Sequence, residues 1–388
     1  MTRRYCIESI TARLHKLGVP FAKHFARALI ALLTARKITL HHIVNLMPGE
    51  EKSEAKRMQM RRCLDHPSLE LAVWAKAIAA LLPKGKWVLA LDRTEWKRGK
   101  TIVNLLVLSV VVYGCAVPIL WTALPNCGNS DTEERIELMS QFMTIFGANR
   151  WRFITADREF IGDDWVGWLL KNKLDFRIRI KAGEWLKHSD GRDQQGKDWF
   201  GKRSCKCKPH RMQLWNQMVY VAGTYLYNDE YLVVISNTKG DLMQDYRLRW
   251  KIETLFQGLK GRGFDLESCR VSEGTRLSGW FGFLALGFCW CLIQGAALDE
   301  SDPLKLKNHK RRAVSTFRRG VDWLSVLVSF ASGQPSSSRF EAAISLLDPV
   351  PRPGNFNGQL LKVYPKPLPQ SVKYFTLFLS RTTVRTIS

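Results

Sequence analysis

The chain has 388 residues, room for two to three domains at about 100–200 residues each. Apolar residues make up 46% of it and charged residues 24%, a balance that excludes wholesale disorder. Lys and Arg number 59 against 35 Asp and Glu, and this formal charge of +24 points to an anionic partner, nucleic acid first. A merely soluble basic protein, or one resting on acidic lipid, is the alternative.

In chain order, residues 1 to about 80 predict a basic helical region. Ala, Leu, Lys and Arg recur at helical spacing, as in FAKHFARALIALLTARK, and Pro20, Met47–Glu50 and His66-Pro67 punctuate the helices. Such a region can place a helix in a DNA groove, or it can be a packing cap with a solvated face. From Lys86 the pattern turns to strands. Trp87 to Asp92 is an apolar run ending in a carboxylate, and Thr101–Tyr113 and Cys115–Leu124 read as two strands with a turn at Tyr113-Gly114. Ser130 and Asp131 offer an N-cap to the helix ERIELMSQFMTIF. A second apolar strand, Trp151 to Ala156, again ends in a carboxylate, Asp157. A helix follows from about Asp163 to Lys173, then the strand FRIRIK, Phe176 to Lys181, which alternates as a strand should.

Residues 183 to about 238 read as a β-rich insertion, polar and containing Trp185, Trp199 and Trp215, with a hairpin turning at Asn228-Asp229. A long basic helix is expected from about Leu242 to Gly261. Gly279 to Leu298 is apolar over a length that could span a bilayer, and a fully buried helix is the favoured reading. A basic run at 302–319, a Gly/Pro/Ser linker at 333–338 and a Pro-rich tail from about 349 complete the chain.

Nine cysteines, an odd number, and an N-terminus without a signal-peptide pattern predict a reducing cytoplasm and no membrane. Cys205, Cys207 and His210 form a short C-x-C-x-x-H cluster. Zinc needs a fourth ligand, none is obvious in sequence, and free thiols with a surface His are the expectation.

Asp92 and Asp157 are therefore expected at the C-terminal ends of two apolar strands. Carboxylates there could hold hard divalent cations for an in-line phosphoryl displacement. Either aspartate alone is as well explained as a helix cap or a turn residue. The third element is Tyr246, Arg249, Glu253 and Lys260, spaced by three, four and seven. At about 100° per residue the four fall within roughly 60° on one helical face. That stripe offers a carboxylate for metal, two cations for phosphates and a phenol. An ordinary amphipathic helix with ion pairs is the alternative.

This stripe resembles the Y-(2)-R-(3)-E-(6)-K signature of the insertion-sequence-four type of DDE transposases. Thr-Ala-Asp157-Arg158-Glu159-Phe-Ile-Gly162 resembles that family's segment around its second Asp, and Leu-Asp92-Arg-Thr-Glu-Trp96 its first. The resemblance covers about residues 86 to 320. It implies an RNase H-like α/β core, a mixed sheet with flanking helices over 86–182 and 241–300. The β-rich insertion at 183–240 interrupts this core, with a helical DNA-binding region at 1–80 and a basic C-terminal region at 301–388. It implies Asp92, Asp157 and Glu253 as the catalytic ligands of two Mg2+ ions, for which Mn2+ can substitute. Tyr246, Arg249 and Lys260 would hold phosphates of double-stranded DNA, the element's ends and its target, with a homodimer in the complex and a bacterial, nucleoid-associated location. A tryptophan of the insertion receives a flipped base in related enzymes, for which Trp185, Trp199 and Trp215 are the candidates, unless they are packing residues. Arg158 either orients Asp157 or forms a plain ion pair, and Glu159 is a rival carboxylate that strand alternation turns away. The alternatives are a nuclease built on the same core and a non-catalytic or repurposed DNA-binding relative.

Overall fold

The computed structural model describes residues 3–350 apart from 100, 126, 203–207, 229, 262, 272–273, 305–307, 309–311 and 330–336. It is a mixed α/β protein. Five helices come first: α1 (Arg3–Lys16), α2 (Ala22–Ala35), α3 (Leu40–Leu46), α4 (Ser53–Leu64) and α5 (Leu71–Leu81). Strands β1 (Trp87–Arg98), β2 (Thr101–Val112) and β3 (Cys115–Ala123) follow, then α6 (Thr132–Phe146), β4 (Trp151–Ala156), α7 (Asp163–Lys171) and β5 (Phe176–Ile180). Next come β6 (Trp185–His188), β7 (Asp193–Gln195), α8 (Gly196–Phe200), β8 (His210–Leu214), β9 (Gln217–Tyr227) and β10 (Glu230–Ser236). The chain ends in α9 (Leu242–Tyr246), a 3-10 turn (Arg247–Arg249), α10 (Trp250–Leu259), α11 (Gly274–Ser301), α12 (Thr316–Ser329) and α13 (Ser337–Ser345).

Two compact units result. The first holds α1–α5, β1 from Asp92 onward, β2, β3 and the chain from Lys251 through α13. Its β2–β3 hairpin turns on Tyr113 (φ 52°) and Gly114 (φ 72°), both left-handed, as a two-residue turn matched to strand twist requires. Its core is α11, packed by α2, α4, α5, α12 and β3. This is the described helix long and apolar enough to cross a membrane by composition, and 83% of its apolar stretch is buried inside the protein. Glycine sets the approach of α12. A Cβ on Gly320 would overlap the Cys291 carbonyl, and one on Gly295 the Thr316 carbonyl.

The second unit holds β1 as far as Leu91 and everything from Asn129 to Trp250. Its strands run in the order β1-β4-β5-β10-β9-β8-β6-β7. The β1–β4 and β4–β5 pairs are parallel and the others antiparallel. The β-rich stretch expected as an insertion thus continues the sheet directly from β5 through β10. Helix α6 begins with the expected capping box, Asp131 accepting from the Glu134 amide while Glu134 accepts from Asp131. Strand β5 differs from expectation. Alternation ordinarily marks a half-buried strand, yet all five residues are buried, Arg177 and Arg179 included. Each guanidinium finds a carboxylate, Arg177 with Asp245 at 2.9 Å and Arg179 with Glu230 at 2.7 Å, which is what a buried charge requires.

Two expectations are corrected by the backbone. Asp92 does not end its strand, because β1 runs on to Arg98, although its pairing with β4 stops at Leu91↔Ala156. The segment 242–261 is not one helix. The 3-10 turn at Arg247–Arg249 separates α9 from α10. Positions 246 to 260 therefore do not share one regular helical face, since a 3-10 turn advances about 120° per residue rather than 100°. Cys205, Cys207, Asp229, most of the linker and nearly all of the Pro-rich tail lie outside the described residues.

Candidate active site

Asp157 directly follows β4, and the chain turns at once, the Phe160 amide donating to the Asp157 carbonyl at 3.0 Å. The turn is braced from α6. Buried Arg135 donates to the carbonyls of Glu159 and Ile161, both at 3.2 Å, and its guanidinium lies 5.4 Å from the centre of the Phe160 ring. Glu159 lies in this turn, beyond the end of β4 at Ala156, so strand alternation does not apply to it.

The Asp157 carboxylate gathers four partners, all from the second unit. Its Oδ1 accepts the Arg158 amide at 2.8 Å and the Tyr246 hydroxyl at 3.2 Å. Arg179 stands 3.8 Å from Oδ1 and Arg249 3.9 Å from Oδ2. These last two are ion pairs beyond hydrogen-bonding length, so they add charge without occupying the oxygens' lone pairs. Burial pushes the Asp157 carboxyl up, but Arg249, the Arg158 amide, Arg179 and the Tyr246 hydroxyl outweigh it and hold the group below its ordinary value. Burial pushes the Tyr246 phenol well above its ordinary value, Asp157 adding to the effect, so it is a hydrogen-bond donor throughout the physiological range. The ring is 1% exposed and packs in an apolar cluster with Leu232, Val234, Leu242 and Met243, which fixes the direction of its hydroxyl. The Arg249 guanidinium lies 5.8 Å from the ring centre.

The remaining expected residues belong to the first unit. Asp92 repeats the local geometry of Asp157, its Oδ1 accepting the amide of the following arginine, Arg93, at 2.8 Å. Arg93 also pairs with Glu95 through a short contact. Glu253 is half-buried in the first turn of α10, where the helix dipole favours a carboxylate. Lys260 follows the last turn of α10. Its Nζ donates to the Glu95 carbonyl at 2.8 Å and pairs with Glu267 at 3.3 Å. The stripe is therefore divided, with Tyr246 and Arg249 at Asp157 and Glu253 and Lys260 on the first unit's helix.

Carboxylate oxygens suit a hard divalent cation. Among the described residues no three His, Cys, Asp or Glu side chains stand together as a ready-made metal cage. Magnesium is commonly held by one or two carboxylates with substrate phosphates completing the shell, and an ionised Asp157 with open lone pairs fits that arrangement.

Sequence reasoning missed Arg179 and Arg135. The signal for Arg179 was two arginines at i and i+2 in an otherwise apolar strand, a pattern that places both on one face. Arg135 carried no signal beyond a cation on a helix. Of the three tryptophans, Trp185 is 60% exposed on β6. Trp199 stacks on His188 at 5.1 Å and lies under Arg192, while Trp215 donates to Glu184 at 3.2 Å. His210 is exposed on β8, as expected of a surface His.

Residues 83–290, more than half of the chain, match the family described as Transposase DDE domain, and the chain belongs to that family. No curated protein matches it. Among solved structures it is similar to the piggyBac transposase synaptic complex with hairpin DNA, determined by cryo-EM. The identity is 11%, over 90% of this chain and 84% of that chain, with a TM-score of 0.44.

Proposed function

We propose that the chain is a DDE transposase of the insertion-sequence-four type, built on an RNase H-like core. It binds the terminal inverted repeats of its element as a homodimer, cleaves DNA by metal-dependent hydrolysis and transesterification, and joins the element to target DNA. The observation that carries this reading is the convergence of Tyr246, Arg249 and the Arg158 amide on an ionised Asp157 inside a transposase DDE domain.

Asp92, Asp157 and Glu253 are the ligands of two Mg2+ ions in this proposal, with Mn2+ able to substitute. Bound there, the cations supply charge stabilisation to the attacking and leaving oxygens of the displacement. The protein's own groups do the rest. Tyr246 and the Arg158 amide fix the rotamer of Asp157 through Oδ1, leaving Oδ2 toward Arg249. Arg249 neutralises the carboxylate before DNA arrives and takes phosphate charge once it has. Lys260, the third DNA contact, swings from the Glu95 carbonyl to the backbone of the cut strand.

The test is cleavage of duplex DNA carrying the inverted repeats that flank the gene. Wild-type protein nicks it at the repeat ends in Mg2+, and a chelator stops the reaction. Full cleavage in the presence of chelator, or nicking at near wild-type rate by Asp92→Ala, Asp157→Ala or Glu253→Ala, overturns the assignment.

A further inference from the structure

The two arginines of β5 are chemically unlike, although they share a strand face. Arg177 is fully used. It donates to Asp245, to the Phe176 carbonyl at 2.8 Å, to Ser236 at 2.6 Å and to Thr238 at 3.2 Å. Arg179 is 7% exposed and donates through Nη2 to Glu230 at 2.7 Å and to the Tyr231 carbonyl at 3.2 Å. Its Nη1 faces Asp157 without a hydrogen bond, and its buried Nε has no hydrogen-bond partner among the described residues. Each Asp157 oxygen is thus faced by a guanidinium at nearly the same distance, 3.8 and 3.9 Å.

Full cations at that range oppose a divalent ion at the same carboxylate, since like charges in a partly buried setting interact strongly. Arg179 cannot readily leave, being held on β5 by Glu230 and the β10 backbone. Arg249 lies in the 3-10 turn, 6% exposed, with its guanidinium 3.9 Å from Oδ2 and 5.8 Å from the Tyr246 ring centre.

We propose that Arg179 is a positioning residue that, with Arg249, closes Asp157 to divalent cations until DNA phosphates draw off the arginine charge, so that metal loads only onto the DNA-bound protein. This rests on the transposase reading, with Asp157 as a metal ligand. Its consequence is that DNA-free protein holds no competent metal centre and cannot hydrolyse phosphodiesters at random. Phosphate supplies both the missing ligands of the cation and the counter-charge for the arginines. Glu230 sets the strength of the gate by sharing the Arg179 charge.

The test is binding of Mn2+ alone to the DNA-free, full-length protein, read by loss of the free-ion electron paramagnetic resonance signal. Wild-type protein binds weakly. Arg179→Gln binds about tenfold more tightly, and Arg179→Lys, which keeps the charge, returns to wild-type behaviour. Glu230→Gln moves the other way, needing a few-fold more Mn2+, because Arg179 then bears wholly on Asp157. The opposite signs separate the gate from loss of structure, and if Arg179→Gln does not fold, Arg179→Lys and Glu230→Gln carry the test. Tighter binding in Glu230→Gln, or unchanged binding in folded Arg179→Gln, overturns the gate. If wild-type protein nevertheless cleaves end DNA, the transposase reading survives that result. Tightening in Arg179→Gln that persists when Asp157 is also Asn places the cation elsewhere, and overturns both the gate and the assignment of Asp157.

Discussion

The Tyr246–Asp157 contact separates the work of a hydroxyl from the work of a ring, and Tyr246→Phe isolates the hydroxyl. At 3.2 Å the bond is longer than the 2.7–2.8 Å typical of O–H···O pairs, so it sits at the weak end of bonds to a charged group, about 1–1.5 kcal/mol. No buried donor is orphaned by the change, and Asp157 keeps the Arg158 amide at 2.8 Å. Tyr246→Ala differs in kind. It empties a site among Leu232, Val234, Leu242 and Met243 and costs about 3–5 kcal/mol. The pH dependence follows from the depressed carboxyl of Asp157. A group whose folded pKa lies below its unfolded value, about 3.9 for Asp, contributes stability above that value and loses it as pH falls through the folded pKa. The Tyr246→Phe deficit is therefore constant from pH 7 to about pH 5 and shrinks only below about pH 4. Denaturant titrations of wild type and both variants at several pH values measure it. A deficit for Tyr246→Phe equal to that of Tyr246→Ala, or one that grows in acid, refutes the reasoning.

Removing Arg249 or Lys260 as Ala lowers the slope of log affinity for DNA against log salt by roughly one each, whereas Glu253→Gln leaves the slope unchanged. Identical slopes in salt titrations of the three variants would make them ordinary structural residues. Arg177→Met strands Asp245 beside a strand that has lost its guanidinium, and costs about 3–5 kcal/mol in denaturant. Gly320→Ala drives a methyl into the Cys291 carbonyl and costs about 3 kcal/mol or more, visible as a lowered thermal midpoint. Calcium supports DNA binding but poorly supports cleavage, which gel assays with each metal in turn examine.

The elements most legible in the sequence were those declared by local chemistry. Trp151–Ala156 stands out because an uninterrupted apolar run meets a carboxylate, and α6 because Asp131 and Glu134 cap it reciprocally. The helical character of residues 1–80 and the β9–β10 hairpin follow from periodicity and turn residues, whereas the division into five helices does not. What pairs with what was not legible. Composition marks 183–217 as polar and glycine-rich but does not show the backbone pairing that carries the sheet from β5 into β10 and outward to β7. Periodicity reports which residues share a face, not whether that face is solvated, and so the burial of Arg177 and Arg179 escaped it.

The candidate site shows the same limit from the other side. The spacing at 246, 249, 253 and 260 predicts one regular helical face. The backbone instead tightens into a 3-10 turn between Tyr246 and Trp250, a common mark of a hinge or a strained segment. The reason lies in what each side must satisfy. Tyr246 is pinned by an apolar cluster below and Asp157 above, while α10 is fixed by Ile252, Leu255 and Leu259, all buried in the first unit. Arg249 lies on the turn itself, buried and paired with Asp157. Tying that turn down tests the argument. Leu248→Pro removes an amide and should disturb both the orientation of Arg249 and DNA affinity. If Leu248→Pro folds and binds DNA with the wild-type salt slope, the turn has no part in presenting Arg249.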